Sequence, residues 1–396
     1  MRSHLYTADF AVRGLLRQKT KNVSITALFA LIVFLFSGIH FMANALYQET
    51  LKALAFQPEM IVQQVKAGRQ VPIDLALTTR IAEIFGVAQV RGRVWGYDFD
   101  PFTGANYTIV GDPGDLVDDW NLCLQKPAAA AREPAVQPLK QGEALVGEGV
   151  LKIRRIRLGS QLNFRDQKGR PMLLTVKGVF SSTVSLWTHD LIVLTEADAA
   201  RFFGLKKGTA WDLAVDVPNT FEVQKVGEKI TNLIPGGRVI SKNQLRRTYG
   251  NSYGFRSGVL LSISMVCLLA FLILAYDRVA RLSREEQREI AVLKAIGWQT
   301  RDLIRLNMLQ SLVLSLTGFL IGVALSYAHV FMAGAPLLRI VFSGWSVLYP
   351  PHPLPVSLDL SKLFGLMFLT VVPYIAVGII PAWRAAVKDP EEVFRT

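Results

Sequence analysis

The chain has 396 residues, 51% of them hydrophobic, with mean hydropathy +0.30 and a formal net charge of +13. It is too apolar and too segmented for an ordinary soluble protein of this length. A basic balance suits nucleic acid, but here the lysines and arginines sit beside apolar runs, the pattern that holds loops in the cytoplasm. Its two cysteines, Cys123 in a polar stretch and Cys267 in an apolar run, give no disulfide framework and suggest no structural metal site.

In chain order, residues 1–22 predict a cytoplasmic amphipathic helix. Leu5, Ala8, Val12 and Leu15 share one face, with Arg13 and Arg17 on others, as in a helix lying in the membrane interface. Residues 23–47 predict transmembrane helix 1, with no acidic or basic residue in its core and enough length to cross roughly 30 Å of hydrocarbon. Ala43-Asn44-Ala45 resembles a signal-peptide cleavage site, but the apolar run before it is longer than a usual signal core, so a retained span is the preferred reading.

Residues 48–255 then predict a large extracytoplasmic domain of ordinary size and mixed α/β content. Strand patterns occur at 60–65, 107–110, 173–180, 191–194 and 211–217, and helical patterns at 75–85, 195–203 and 220–233. Residues 126–138 are a proline-rich loop. Asp98 with Asp100, and Asp115 with Asp118 and Asp119, are read as solvated turns, since they lack the spacing of a calcium loop. Lys152, Arg154, Arg155 and Arg157, and likewise Arg246 and Arg247, are read as solvated faces, with anionic lipid or an acidic partner as the alternative.

Residues 256–276 predict transmembrane helix 2, 277–305 a cytoplasmic loop, 306–333 transmembrane helix 3, 334–362 an extracytoplasmic loop, 363–383 transmembrane helix 4 and 384–396 a cytoplasmic tail. Pro373 is expected to kink the fourth span, since it removes one backbone donor. The fold class expected is therefore a membrane α-helical protein of four transmembrane helices, with the mixed α/β domain inserted between spans 1 and 2. Arg2, Arg13, Arg17, Lys19 and Lys21 at one end and the arginine-rich 277–305 loop place both termini and that loop in the cytoplasm. Gly318 and Gly322 form a G-x-x-x-G on span 3, expected to allow close helix packing. His40 and His329 fall near the outer ends of spans 1 and 3, and separate polar partners are expected for them rather than a shared ligand.

Within the 277–305 loop, Ile290, Leu293 and Ile296 recur at helical spacing, while Arg288, Glu289 and Lys294 face elsewhere. A short amphipathic helix between two spans is a docking surface for a cytoplasmic partner. Gly297 is expected to end it in a left-handed cap, with Trp298 anchoring the next turn. The chain has no G-x-x-x-x-G-K-[ST], H-E-x-x-H, G-x-S-x-G or C-x-x-C, and the cores of its spans carry no aspartate, glutamate, lysine or arginine for a proton relay. No catalytic residue, metal site or directly bound cofactor is expected.

Residues 288–298, Arg-Glu-Ile-Ala-Val-Leu-Lys-Ala-Ile-Gly-Trp, resemble the R-E-I-x-x-L-[KR]-A-[IL]-G segment of MacB/FtsX-like permeases. Ala144–Glu148, Leu158–Ser160 and Val176–Phe180 resemble more loosely the core of MacB-type outer domains, and Pro381–Ala386 followed by Asp389-Pro390 resembles the family's closing segment. The resemblance implies a non-catalytic ABC transporter permease that works by mechanotransmission, as a homodimer or with a related paralogue. A separate cytoplasmic ABC ATPase would bind ATP and Mg. Arg288, Glu289, Ile290, Leu293, Lys294, Gly297 and Trp298 would form or support the ATPase-coupling segment. The work would be efflux or extraction of a substrate, with a periplasmic membrane-fusion adaptor as a further partner, or else activation of an extracytoplasmic enzyme without transport. Membrane lipid is an expected partner; nucleic acid is not.

Overall fold

The computed structural model describes residues 2–55, 57–112, 138–180, 188–253, 258–280, 284–338, 354 and 356–387. Asp115, Asp118, Asp119, Cys123, residues 126–137 and Asp389-Pro390 lie outside them. The chain divides into two compact units, one of residues 1–46, 251–338 and 353–396 and the other of residues 47–250 and 339–352.

Helix α1 spans Arg2–Arg17 and α2 spans Lys19–Ala55. The face of α1 turned inward carries Ala11, Gly14 and Leu15, whereas Val12 and Leu16 are exposed. Of the face expected to lie in the membrane interface, Val12 is exposed and Leu15 is half-buried. Only Gln18 separates α1 from α2, and the Asn22 side-chain amide donates back to the Leu15 carbonyl at 2.8 Å, bracing the corner.

The second unit contains two main sheets. Strands β1 (Met60–Lys66), β2 (Arg69–Val71), β4 (Gln89–Arg93), β12 (Asp212–Asp216) and β13 (Gly237–Ser241) form an antiparallel sheet in the order β13-β1-β12-β4, with β2 also on β1. Strand β3 (Ile73–Asp74) pairs with β11 (Thr209–Ala210), and α3 (Ala76–Ala82) follows β3. Met60, Val62, Leu213 and Val215 on the sheet pack with Val226 and Ile230 of α6 (Val223–Leu233) into one apolar core. The period-2 pattern of the strands and the 3.6-residue period of α6 both point their apolar sides at that layer.

The other sheet runs β5-β6-β10-β7-β9-β8, from β5 (Trp95–Asp100), β6 (Ala105–Asp112), β7 (Glu143–Val146), β8 (Gln161–Arg165), β9 (Pro171–Val179) and β10 (Leu191–Thr195). Its β6–β10 and β7–β9 pairs are parallel, the rest antiparallel. Helices α4 (Glu148–Arg154) and α5 (Glu196–Phe202) pack on it around Tyr107, Ile109, Phe164, Leu174 and Ile192. Thr195 caps α5, its hydroxyl accepting from the Asp198 N–H at 3.2 Å. The last element of this unit is α7, Lys242–Tyr253, on which Arg246 and Arg247 are exposed.

The two sheets meet at a buried carboxylate. Asp212 is 0% exposed, accepts from Arg93 at 2.6 and 2.9 Å, and accepts from the Trp95 indole at 2.8 Å. Arg93 ends β4 and Trp95 begins β5, so one side chain fixes the step from the first sheet to the second.

Helix α8 spans Gly258–Ala280, α9 Arg284–Ala295, α10 Thr300–Tyr327 and α11 Leu360–Val387; a π-helical turn, Ala328–Met332, continues α10. Lys19–Ala55, Thr300–Met332 and Leu360–Ile379 are long and apolar enough to cross a membrane, and α8 contains a shorter apolar stretch, Leu261–Ile273. The outward faces are apolar, with Leu31 and Leu35 on α2, Met265 and Leu269 on α8, Leu320 and Ile321 on α10, and Phe364 and Phe368 on α11 exposed. Three buried hydroxyls return to their own helices, Ser37 to Val33, Ser315 to Ser311 and Thr370 to Leu366, and so are satisfied without leaving them. Helix α11 runs through Pro373 without a break in its helical assignment.

Four helices converge on Phe29 of α2. Its ring lies 4.8 Å from that of Phe271 on α8 and 5.3 Å from that of Tyr374 on α11. A Cβ on Gly318 would stand 2.8 Å from the Phe29 ring, and one on Gly322 would stand 2.6 Å from the Ala30 carbonyl. No side chain fits at either place without moving α2 away from α10.

Gly322→Ala should therefore lower stability by about 1–3 kcal/mol, the cost of overpacking a close contact. On α11, a methyl added at Gly365 would meet nothing within 4 Å, so Gly365→Ala should leave stability unchanged or raise it slightly. Thermal unfolding of the two variants in detergent compares one added methyl in each setting. In the other unit, Asp212→Ala should cost about 3 kcal/mol or more, because the Arg93 charge loses its buried partner. Increased protease sensitivity of residues 47–250 would register it.

Candidate functional site

The segment between α8 and α10 is a short helix with a defined end. The Trp298 N–H donates to the Leu293 carbonyl at 3.0 Å, and the Gly297 N–H donates to the Lys294 carbonyl at 2.9 Å. These two bonds, with Gly297 at φ +96°, close α9 in a Schellman motif that only glycine adopts without strain. Two residues later α10 begins with a capping box, in which the Gln299 and Asp302 side chains each accept from the other's backbone N–H. The turn from α9 into α10 is therefore fully hydrogen-bonded rather than a free loop.

The faces of α9 are unequal. Ala291 is buried, and Glu289, Ile290, Leu293 and Lys294 are half-buried. Arg288, Val292 and Ile296 are exposed, Val292 at 49% and Ile296 at 69%. Positions 288, 292 and 296 are four residues apart and make one stripe along the helix. Of the apolar residues that the sequence groups together, Ile290 and Leu293 turn toward the protein, and Ile296 joins Val292 on the open side. Val292 escapes a reading by periodicity because the spacing of 290, 293 and 296 matches a helical face as well as 292 and 296 do.

The inner side of α9 meets α1. The Arg17 guanidinium pairs with the Glu289 carboxylate, and the Phe10 ring lies 5.5 Å from that of Trp298. Helix α1 also lies on α10, where Gly14 faces the Gln310 side chain. Asn307 of α10 donates to the Gly378 carbonyl of α11 at 2.8 Å. The platform that carries the exposed stripe is thus built from α1, α9, α10 and α11.

Other residues singled out by sequence stand apart. His40 contacts the Ser264 hydroxyl at 3.3 Å and the edge of Phe36, whereas His329 sits against Phe34. Each imidazole has its own neighbours. Asn44, in the suggested cleavage sequence, is buried in α2 and held by Ser357 and by Lys362.

The solvated-turn reading of Asp98 and Asp100 is overturned, because both lie on β5. Asp100 is buried and pairs with Arg154 at 3.0 Å. Burial, and next the neighbouring Asp100 charge, push the Asp98 carboxyl above its usual range, with Arg154 opposing them. Arg154 likewise leaves the proposed solvated face: its guanidinium lies over the Tyr107 and Phe164 rings. Lys152 pairs with Glu148 at 2.8 Å on the surface of α4.

Residues 259–390 match the model of the FtsX-like permease C-terminal family. An uncharacterized ABC transporter permease of Methanocaldococcus jannaschii is 22% identical over 251 residues, 61% of this chain and 58% of that protein. The macrolide export ATP-binding/permease protein MacB of Bdellovibrio bacteriovorus is 32% identical over 111 residues, 28% of this chain and 15% of that protein. The chain therefore spans well under two thirds of the length of these relatives. The periplasmic region of MacB from Actinobacillus actinomycetemcomitans superposes with a TM-score of 0.34 at 14% identity, over 48% of this chain and 92% of that one. Helices α8, α9, α10 and α11 thus lie in the region that matches the FtsX-like permease model, three helices among the described residues are long and apolar enough to cross a membrane, and ABC transporter permeases such as MacB are among the chain's homologues.

Proposed function

We propose that the chain is the membrane subunit of an ABC transporter of the MacB/FtsX type. Helix α9 docks on a cytoplasmic ATPase, and the membrane helices pass its opening and closing to the unit of residues 47–250. The observation that carries this reading is the open stripe of Arg288, Val292 and Ile296 on a helix rigidly capped between α8 and α10. An exposed apolar pair with a cation at one end suits a groove on a partner protein. The 396 residues contain no G-x-x-x-x-G-K-[ST], so the nucleotide site, with its ATP and Mg, lies outside them.

In this reading α2, α8, α10 and α11 are four spans of a bacterial inner membrane, with both termini and α9 inside. Lysines and arginines flank the inner ends: Arg13 and Arg17 on α1, Lys19 and Lys21 in the first turn of α2, and Arg301 and Arg305 at the start of α10. The permease works as a dimer, since two ATPase copies close on each other. The direction is outward, efflux or extraction of a substrate, which fits a large unit outside and a relative named for macrolide export. A periplasmic membrane-fusion adaptor would complete such a pathway.

Two expected outcomes follow. In a cysteine-free background, Val292→Cys should resist a membrane-impermeant thiol reagent in intact cells and react once the cells are opened. Val292→Asp and Ile296→Asp should each cut co-purification of the ATPase by about tenfold or more, because each buries a carboxylate in an apolar contact. Leu269→Asn, on the lipid-facing side of α8, serves as the control for membrane assembly. Wild-type ATPase recovery in both α9 variants would remove the docking assignment.

A further inference from the structure

The docking stripe accounts for one side of α9; the contacts on its other side point to a second role, for the N-terminal helix. Arg17 pairs with Glu289 and Phe10 stacks obliquely on Trp298. The two contacts are separated by seven residues on α1, about 10 Å of helix. They run in opposite chain directions, the earlier residue of α1 meeting the later residue of the loop. One contact would leave α9 free to pivot; two contacts, one at its middle and one just past its C-terminal end, fix both its distance and its direction.

The stretch of α1 between those two contacts is held by other helices. Ala11 is buried, Gly14 faces Gln310 of α10, and Asn22 of α2 donates to the Leu15 carbonyl across the one-residue corner. A movement of α9 therefore reaches α2 through α1 as well as through α10. Glu289 and Trp298, which the sequence suggests form or support the coupling segment, have partners within the chain.

We propose that α1 is the clamp that sets the angle of the coupling helix, with Arg17 and Phe10 as positioning residues acting through Glu289 and Trp298. This rests on the reading of α9 as the docking helix. Neither residue touches the ATPase. Their loss leaves docking intact and weakens the transfer of motion.

The experiment uses the full chain purified with its ATPase, and reads both the ATPase retained and the ATP turnover that the permease stimulates. Arg17→Glu and Glu289→Arg should each lower stimulated turnover about threefold, the scale of an exposed ion pair, with ATPase retention unchanged. The double variant, with the charges exchanged, should return to within twofold of wild type. Phe10→Ala should lower turnover by about 3- to 10-fold, the range of an aromatic pair, and Phe10→Tyr should not. If the exchange fails to rescue, or if Glu289→Arg alone loses the ATPase, Glu289 acts elsewhere and the clamp is overturned. If wild-type chain retains no ATPase, the docking reading fails. The clamp is then judged by a short bifunctional thiol reagent between Phe10→Cys and Trp298→Cys in a cysteine-free chain, where absence of a cross-link overturns it.

Discussion

The contact on which the helical unit depends is the seat of Phe29 against Gly318. Phe29 is 1% exposed and touches rings from α8 and α11 while lying over the bare backbone of α10. In a lipid environment, apolar packing alone does not draw helices together, since the tails are as apolar as leucine; close backbone approach and shape fit must do so. The two glycines of α10 supply that approach, and Phe29, Val33 and Phe36 of α2 fill it. The outward leucines and phenylalanines contribute nothing to this core. They belong to the solvent the helices are built for.

Much of the architecture is legible in the sequence, because each kind of element carries its own period. The uncharged runs mark α2, α10 and α11 directly. The apolar alternation of β1, β6, β9, β10 and β12 gives those strands to within a few residues, and α3, α5 and α6 follow from their helical pattern. The strands that escape this pattern are the short β2, β3 and β11, and β4, β5, β7, β8 and β13. Gln89–Arg93 and Gln161–Arg165 alternate, but with so many polar residues that the pattern resembles a loop. Strand β5 hides two aspartates beside Arg154 of α4, which pairs with Asp100. A contact between residues 54 positions apart leaves no local trace, so the pair reads as a turn and a basic patch until the fold brings them together.

The candidate site divides the same way. The cap is local chemistry: glycine after a helical run, with two backbone bonds that need only residues 293–298. It is legible from the sequence alone. Which face of α9 is open is not local, because it depends on what α1 and α11 cover. Ile290 and Leu293 look like docking residues by periodicity, and the packing of the unit turns them inward and leaves Val292 and Ile296 outside. The N-terminal helix shows this most clearly. Its own amphipathic pattern suits a membrane surface, and nothing in its sequence announces that Arg17 and Phe10 have partners more than 270 residues away.

The unit also explains why a docking helix can be short. A twelve-residue helix is marginal alone, since nucleation costs more than a few backbone bonds return. Here α9 is fixed at its end by the Schellman bonds, on its inner side by α1, and through a capped turn by α10. Force applied to its exposed stripe meets no slack segment between residues 288 and 327. It passes along a continuous helix to Gly318 and Gly322, where Phe29, Ala30 and Val33 of α2 sit directly on the bare backbone of α10. Packed interfaces of this kind transmit displacement because they are not continuously deformable. The same glycines that permit the close approach of two helices therefore also make that approach stiff, and stiffness is the property a mechanically coupled permease needs at that point.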